Sequence, residues 1–398
     1  MVVEALRTEE AWLALAGEWD PLVERSASAS IFLTLEWLRP WWHAYRRPGE
    51  ELWILVAREG GATIGLAPLY RSRIRTSYRV GSLRRFGFIG DRTGESEYLD
   101  FVIQRSREAE VLAAFLGHLD GDLAGWDLGE LWRMPKESPN FEPVQRIAAE
   151  RGCLVTASDW PCQSIELPGS WDAYLGRLQP RFRGKLRSVL RRLPAEHEAA
   201  FEECVDPGEL PARIESLFDL HQRRWQAEGK PGSFASAARR AFYGEMSEAF
   251  LRRGWLRFYT LRLGGRVVAH EFSFEHLGRV HFLQQGYDPA CAELSVGLAL
   301  KAHVIRESIA RGAREYDLLG GPEAYKEKWG AQKRWCSFLT LARPALRTRC
   351  HLGAPRLVRR LRDWARAVTP GPLLRLKRAL QARLRPPKSS GRAERSED

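Results

Sequence analysis

The sequence predicts an α/β (α+β) fold of two related tandem halves with mixed sheets, followed by a basic helical tail. Three observations carry this. The chain has 398 residues, more than one average domain and enough for two cores. Each half holds a strand–Gly-Gly–strand pattern, one around Gly60-Gly61 and one around Gly264-Gly265, the signature of a tight antiparallel hairpin. After the second hairpin, strands alternate with a helix, which makes part of that sheet parallel. The two hairpins read as a weak internal repeat with about 200 residues between copies.

In chain order, helical spacing runs through Glu9–Arg25, with Trp12, Leu15, Trp19 and Leu22 on one side, and through Phe32–Trp42. The first hairpin follows, then strands at Glu97–Gln104 and Leu128–Arg133 with a helix at Glu108–Asp120 between them. A strongly basic stretch, Asp172–Leu193, opens the second half, and helices follow at 210–228 and at Ala235–Arg253. Past the second hairpin the expected elements are a strand at Arg279–Tyr287, a helix at Val296–Arg311 and a strand at Glu315–Leu319. A short segment, Glu323–Trp329, and a strand, Trp335–Ala342, close the body. The organisation is thus 1–150, 151–343 and a tail, 344–398, with two short amphipathic helices broken at Pro370-Gly-Pro372 and a polar end.

The formal net charge of +12 belongs to the tail. From Pro344 onward there are 15 Lys+Arg against 4 Asp+Glu, which leaves the body nearly neutral. Six scattered cysteines without a CxxC pair read as reduced thiols in a cytoplasmic setting. No signal peptide and no apolar run of about 18 residues is visible. There is no HExxH, no Cys/His cluster, no GxxxxGK[ST] loop and no GxSxG elbow, so neither a metal site nor a serine hydrolase is expected.

Two stretches can carry chemistry. The first is Gln284-Gln285-Gly286-Tyr-Asp-Pro289 leading to Ser295-Val296-Gly297-Leu298. A strand ends in a glycine, and a Ser-x-Gly then opens a helix whose first N–H groups attract phosphate. Ser295 is the expected N-cap, and Gly297 lets a ligand approach the backbone. By itself the pattern also describes an ordinary capped helix. The second is Asp317-Leu-Leu-Gly-Gly-Pro-Glu323-Ala-Tyr325-Lys326, in which a strand ends at a Gly-Gly-Pro turn beside that helix. Tyr325 and Lys326 can serve an acyl carbonyl or a phosphate, or sit on a plain surface turn. Acyl transfer also needs a base. His270 and Glu271 are neighbours on a strand, so at most one of them faces the cleft.

Taken together, these segments resemble the GNAT superfamily of N-acetyltransferases, and more narrowly its double-domain CelD/BioF-like branch. The marks are Phe32-Leu-Thr-Leu-Glu-Trp37-Leu with Trp41-Trp42, Ile64-Gly-Leu-Ala-Pro68-Leu and Glu97-Tyr-Leu-Asp100-Phe in the first half. In the second half they are Lys185-Leu-Arg, Leu220-His221 with Arg224-Trp225, Gly286-Tyr-Asp-Pro289, Ser295-Val-Gly297-Leu, and Tyr325-Lys326 with Trp329-Gly330. The resemblance implies an acyltransferase with acyl-CoA (acetyl-CoA) as co-substrate and no metal. It places the cofactor on Gln285, Gly286, Ser295, Val296, Gly297 and Leu298, catalysis on Glu271 or His270 with Tyr325 and Lys326, and substrate contacts at Asp317, Trp329, Asp100 and Trp37. The usual Gln/Arg-x-x-Gly-x-Gly/Ala loop is reduced here to Ser295-x-Gly297-x-Ala299.

The acceptor implied is an amine or hydroxyl of a sugar or cell-envelope polysaccharide precursor, with the first half a degenerate copy that shapes the acceptor groove. Two alternatives stand beside this. One is a Fem-type peptidyltransferase using aminoacyl-tRNA, which the basic Arg177–Arg192 segment would suit. The other is a non-catalytic scaffold of a polysaccharide-biosynthesis complex. Residues 344–385 suit an anionic membrane surface, which would make the protein cytoplasmic and peripheral at the inner face of the membrane.

Overall fold

The computed structural model describes residues 1–78, 81–122, 125–227, 229 and 232–354. The tail helices expected around Leu357–Trp364 and beyond therefore lie outside the described residues. Among the described residues, 1–74 and 83–344 form one compact unit, and 75–78, 81 and 82 belong with 345–354 to a second. In the second unit, residues 346–354 are helical, and the Ser77 amide and hydroxyl donate to His351 Nδ1 and its carbonyl at 2.9 and 2.8 Å. No helix among the described residues is long and apolar enough to cross a membrane.

The strands are β1 (Val2–Leu6), β2 (Glu51–Leu52), β3 (Ile54–Glu59), β4 (Ala62–Ala67), β5 (Leu69–Arg75), β6 (Ser82–Phe88), β7 (Val102–Ile103) and β8 (Leu128–Pro135). They continue as β9 (Leu154–Glu166), β10 (Ala199–Glu203), β11 (Leu256–Leu263), β12 (Arg266–His276), β13 (Arg279–Tyr287), β14 (Glu315–Gly320) and β15 (Gln332–Ala342). One sheet runs β1-β3-β4-β7; the other has eleven strands in the order β10-β11-β12-β13-β14-β9-β15-β8-β6-β5-β2. Helices and loops cover the faces, and seven tryptophans are buried in the larger of two apolar cores.

Both hairpins form as the glycines predict. Glu59 pairs with Ala62 and Leu263 with Arg266, and the intervening Gly60, Gly61, Gly264 and Gly265 all have positive φ, which a two-residue turn of this hand requires. Each half also contains a short parallel pair closed by a crossover helix. Arg85–Gly87 pairs with Leu128–Glu130 across the helix Glu108–Gly121, and Arg279–His281 pairs with Glu315–Asp317 across the helix Val296–Ala310. β9 is antiparallel to both β14 and β15, and so makes the sheet continuous between the halves.

Three local expectations need correction. Glu9–Arg25 is two helices, Glu9–Ala14 and Ala16–Arg25, because the Leu15 amide bonds back three residues to Trp12 and tightens the turn. The second arm of the first hairpin is split at Pro68, which has no N–H to give to a ladder, and the chain changes sheet there. Of Glu97–Gln104 only Val102–Ile103 is strand. Tyr98 has φ +52°, and just before Val102 buried side chains take the place of a neighbouring strand: Asp100 accepts from the Phe101 amide at 2.7 Å and from Asn140 at 3.1 Å, and Asn140 also donates to the Phe101 carbonyl at 2.9 Å.

Candidate active site

β13 carries one residue more than β12 can match. Ser273 faces Phe282 and Phe272 faces Gln284, so Leu283 is an extra residue in the ladder. Such a bulge bends and twists its strand. The pairing of β13 with β14 ends at His281–Asp317, and beyond that point the two parallel strands run on without pairing to each other. The gap opens into a cleft of about 480 Å³. One wall is Gln284, Gln285 and Tyr287 of β13, and another is Ser295–Leu298 at the helix start. Glu323 and Tyr325 close it after β14, and His221, Arg224 and Trp225 face it from the helix Leu210–Ala227.

The helix begins at Val296 as predicted, but Ser295 does not cap it with its side chain. The chain leaves a tight 3₁₀ turn, Pro289–Leu294, and Ser295 takes φ +58° to reverse into the helix. The Ser295 carbonyl accepts from the Leu298 and Ala299 amides, both at 3.0 Å. The amides of Val296 and Gly297, in the first turn, have no carbonyl of their own helix to bond. They line the cleft, where their dipole favours an anion. A Cβ on Gly297 would stand 3.1 Å from Gln285 Oε1, so its absence keeps this approach open. Gln285 fixes the geometry by donating to the Gly297 carbonyl at 2.9 Å and to Glu271 at 3.2 Å.

Glu271 is fully buried beneath this floor. Its carboxylate accepts from Tyr316, from Ser273 at 3.3 Å and from Gln285, and Lys301 Nζ lies 3.4 Å away. It reaches the cleft through Gln285 and Lys301, which line it. His270 points the other way, as alternation along the strand requires. Its Nδ1 is 3.0 Å from Thr260 Oγ1 and its Nε2 is 2.9 Å from Ser216 Oγ, so both ring nitrogens are engaged inside the fold. Burial, helped by Arg213 and Arg262, lowers its pKa to about 3. His270 is a neutral structural histidine and does not line the cleft.

Tyr325 lines the cleft and is partly exposed, and burial of its ring raises it to about 12. Lys326 turns inward instead of into the cleft. Its ammonium donates to the carbonyls of Leu319 (3.1 Å), Gly320 (2.8 Å) and Gly321 (3.4 Å), stapling the Gly-Gly-Pro turn that ends β14. Gly286 is also placed by packing. A Cβ there would come within 2.9 Å of the His221 amide, so the glycine lets the helix Leu210–Ala227 lie on β13.

None of the four expected substrate residues lines the cleft. Trp37 lies in the core against Phe32, Phe242 and Phe274 and donates to Ser96 at 2.9 Å. Asp100 is sealed among Ser138, Asn140 and the Phe101 amide, and burial raises it to about 7. Asp317 is buried beside His281 and caps the Leu319 amide at 2.8 Å, and burial raises it to about 6. Trp329 packs edge-on against Phe182, and its carbonyl accepts from Tyr174 at 2.9 Å. Large aromatics and acids in a motif are drawn inward whenever the surrounding fold satisfies them.

Sequence reasoning assigned no site role to His221, Arg224, Trp225 or Lys301. The first three share a helix face at spacings of three and four residues, which was the available signal. Trp225 Nε1 can only donate and sits 2.8 Å from His221 Nε2, so the proton of this neutral histidine is on Nδ1. Burial, then Arg239 and Arg224, lowers His221 to about 4. Elsewhere, Glu97, Cys162 and Cys336 bring three ligand-type atoms within 4.8 Å of one another. Glu97 is already engaged there by Arg133 at 2.5 Å.

Residues 180–327 match the family model described as an acetyltransferase (GNAT) domain. Among solved structures the chain is similar to FemX, with a TM-score of 0.62 at 10% identity over 86% of this chain and 97% of that one. It is also similar to a conserved protein of unknown function from Bacteroides thetaiotaomicron, with a TM-score of 0.52 at 13% identity over 86% of this chain and all of the other. At such identities the likeness shows the fold. No curated protein matches the chain. Residues 180–327 thus match an acetyltransferase (GNAT) domain, and the chain as a whole shares the fold of FemX.

Proposed function

We propose that the cleft between β13 and β14 binds acyl-CoA, with its phosphates on the Val296 and Gly297 amides and its acyl arm along β13 between the parted strands. The observation that carries this reading is the parting itself. Two parallel strands separate beside a helix whose first amides are open, and they leave backbone groups for an amide-bearing arm to pair with. Gln285, Ser295, Val296, Gly297 and Leu298 would hold the donor, Arg224 would add positive charge, and Tyr325 would face the reacting carbonyl. The acceptor is an amine or hydroxyl of a sugar or cell-envelope precursor, in keeping with the CelD/BioF-like branch. The first half, 1–150, shapes its groove, and the tail holds the protein at the inner membrane face.

Calorimetry with acetyl-CoA and longer acyl-CoA, on the full chain and on one ending at Ala342, tests the donor. Micromolar binding by both supports the reading, and no binding by folded protein refutes it. A second reading takes the acyl group from aminoacyl-tRNA. It is favoured by the helix Pro180–His197, on which Arg181, Lys185, Arg187 and Arg191 are all exposed, and by the fold shared with FemX. Co-purifying RNA and a steep salt dependence of binding would select it.

A further inference from the structure

We propose that Lys301 is a catalytic residue of this cleft, the acid that meets the sulfur of the departing CoA, and that Glu271 positions it. The inference rests on the acyl-CoA reading above.

Lys301 lies four residues beyond Gly297, about 6 Å down the helix axis. Its Nζ is 3.0 Å from the centroid of the Phe282 ring, 3.4 Å from Glu271 Oε2 and 3.5 Å from the Tyr316 hydroxyl. Phe282 is the first residue of β13 past its last pair with β14, and Tyr316 is one residue before that last pair on β14. The ammonium therefore marks the closed end of the gap, where the strands part. From Tyr287 to Phe282 the strand runs about 17 Å, a span suited to an extended arm and not to a compact ligand. A donor anchored at the helix start and laid along β13 brings its thioester to Lys301.

Stability alone does not explain the pair. Lysine is rarely buried, and replacing a buried ion pair with apolar groups is commonly neutral or favourable. Here a lysine side chain only 4% exposed still lines the cleft. Burial lowers Lys301 to about 8, against the opposing pull of Glu271, so the group is charged at neutral pH and gives up a proton readily. The groups that act on it are Glu271 from β12, Tyr316 from β14 and the buried ammonium of Lys326 after β14, which opposes its charge, and Gln285, Glu323 and Tyr325 line the same cleft.

In the step proposed, the acceptor nitrogen attacks the thioester carbonyl carbon. The C–S bond breaks with its electron pair on sulfur, and sulfur takes a proton from Lys301 Nζ to leave as the thiol. The proton shed by the acceptor nitrogen passes through water and restores the lysine.

Unacylated CoA tests this without an acceptor. Its thiol would be titrated by thiolate ultraviolet absorbance, free and bound, with seating checked by calorimetry. In the wild type the bound thiol is expected to titrate at least about one unit below free CoA measured alongside, a tenfold rise in acidity. In Lys301→Met that shift disappears while CoA still binds, and in Lys301→Arg it persists. Should Lys301→Met fail to fold, Lys301→Met combined with Glu271→Gln leaves no lone buried charge and replaces it. Equal thiol titration in wild type and a folded, CoA-binding Lys301→Met overturns the assignment. CoA that binds no folded form refutes the donor reading, and this assignment with it.

Discussion

Gly297→Ala separates ligand approach from helix stability. Gly297 is the second residue of the helix Val296–Ala310, and its carbonyl accepts from Gln285 Nε2 at 2.9 Å. Alanine is favoured over glycine by about 1 kcal/mol in a helix interior, and by less in the first turn. The added Cβ would stand 3.1 Å from Gln285 Oε1, so the amide must yield by a few tenths of an ångström, weakening bonds of about 1 kcal/mol each. These effects oppose each other, so urea-denaturation stability should stay within about 1 kcal/mol of wild type. Binding has no such compensation. The methyl would stand against Gln285 and Tyr287, which line the cleft beside the open amides, and charge-assisted bonds to a phosphate are worth about 1.5–3 kcal/mol each. Calorimetry should therefore show acetyl-CoA affinity falling by about tenfold or more. A variant as stable as wild type that binds within twofold of it refutes the placement of the phosphates.

Further outcomes follow from the same contacts. Lys326→Met removes a buried ammonium that serves three carbonyls, and should lower unfolding stability by about 3 kcal/mol in a denaturant titration. Trp37→Ala should lower stability by about 3–5 kcal/mol, yet leave CoA affinity of the folded fraction unchanged, because the ring lies in the core. His270 is held at about 3 in the fold against an ordinary value near 6.5, so the unfolded chain binds the extra proton between those limits. Its contribution is fully present above about pH 6.5 and is lost as the pH falls towards 3. A His270→Gln variant should accordingly show a shallower acid loss of stability, by up to about 1.4 kcal/mol per pH unit.

Much of the architecture was legible in local pattern. Glycine pairs with no side chains to clash mark both hairpins, and the aromatic and aliphatic residues of β13 and β14 and the spacing of the Val296–Ala310 helix needed no tertiary information. β1, β6, β9 and β10 escaped notice. β9 mixes polar and apolar residues without a clear alternation and is a strand because β14 and β15 flank it, and the run after the first Gly-Gly pair reached only Tyr70 of β5, which Pro68 cuts from β4. Within the site, Ser295–Leu298, Gln285 and Tyr325 were identified because they sit where a strand ends and a helix begins.

The chain order of residues alone thus determined the class of fold, the two hairpins and the helix start that faces the cleft. Each of these depends on backbone preferences and side-chain spacing within a few residues. Only the tertiary structure decided which polar residues reach the cleft. Alternation along β12 left one of His270 and Glu271 for the cleft side, but choosing between them required knowing which face β13, β14 and the crossover helix would cover. Lys326 and Lys301 show the same point in opposite senses. The motif lysine is drawn into a turn by three nearby carbonyls, and the lysine outside any motif is held at the fork of the sheet by a carboxylate thirty positions away in the chain. Burial and partnership across such distances depend on packing, and no local pattern encodes them.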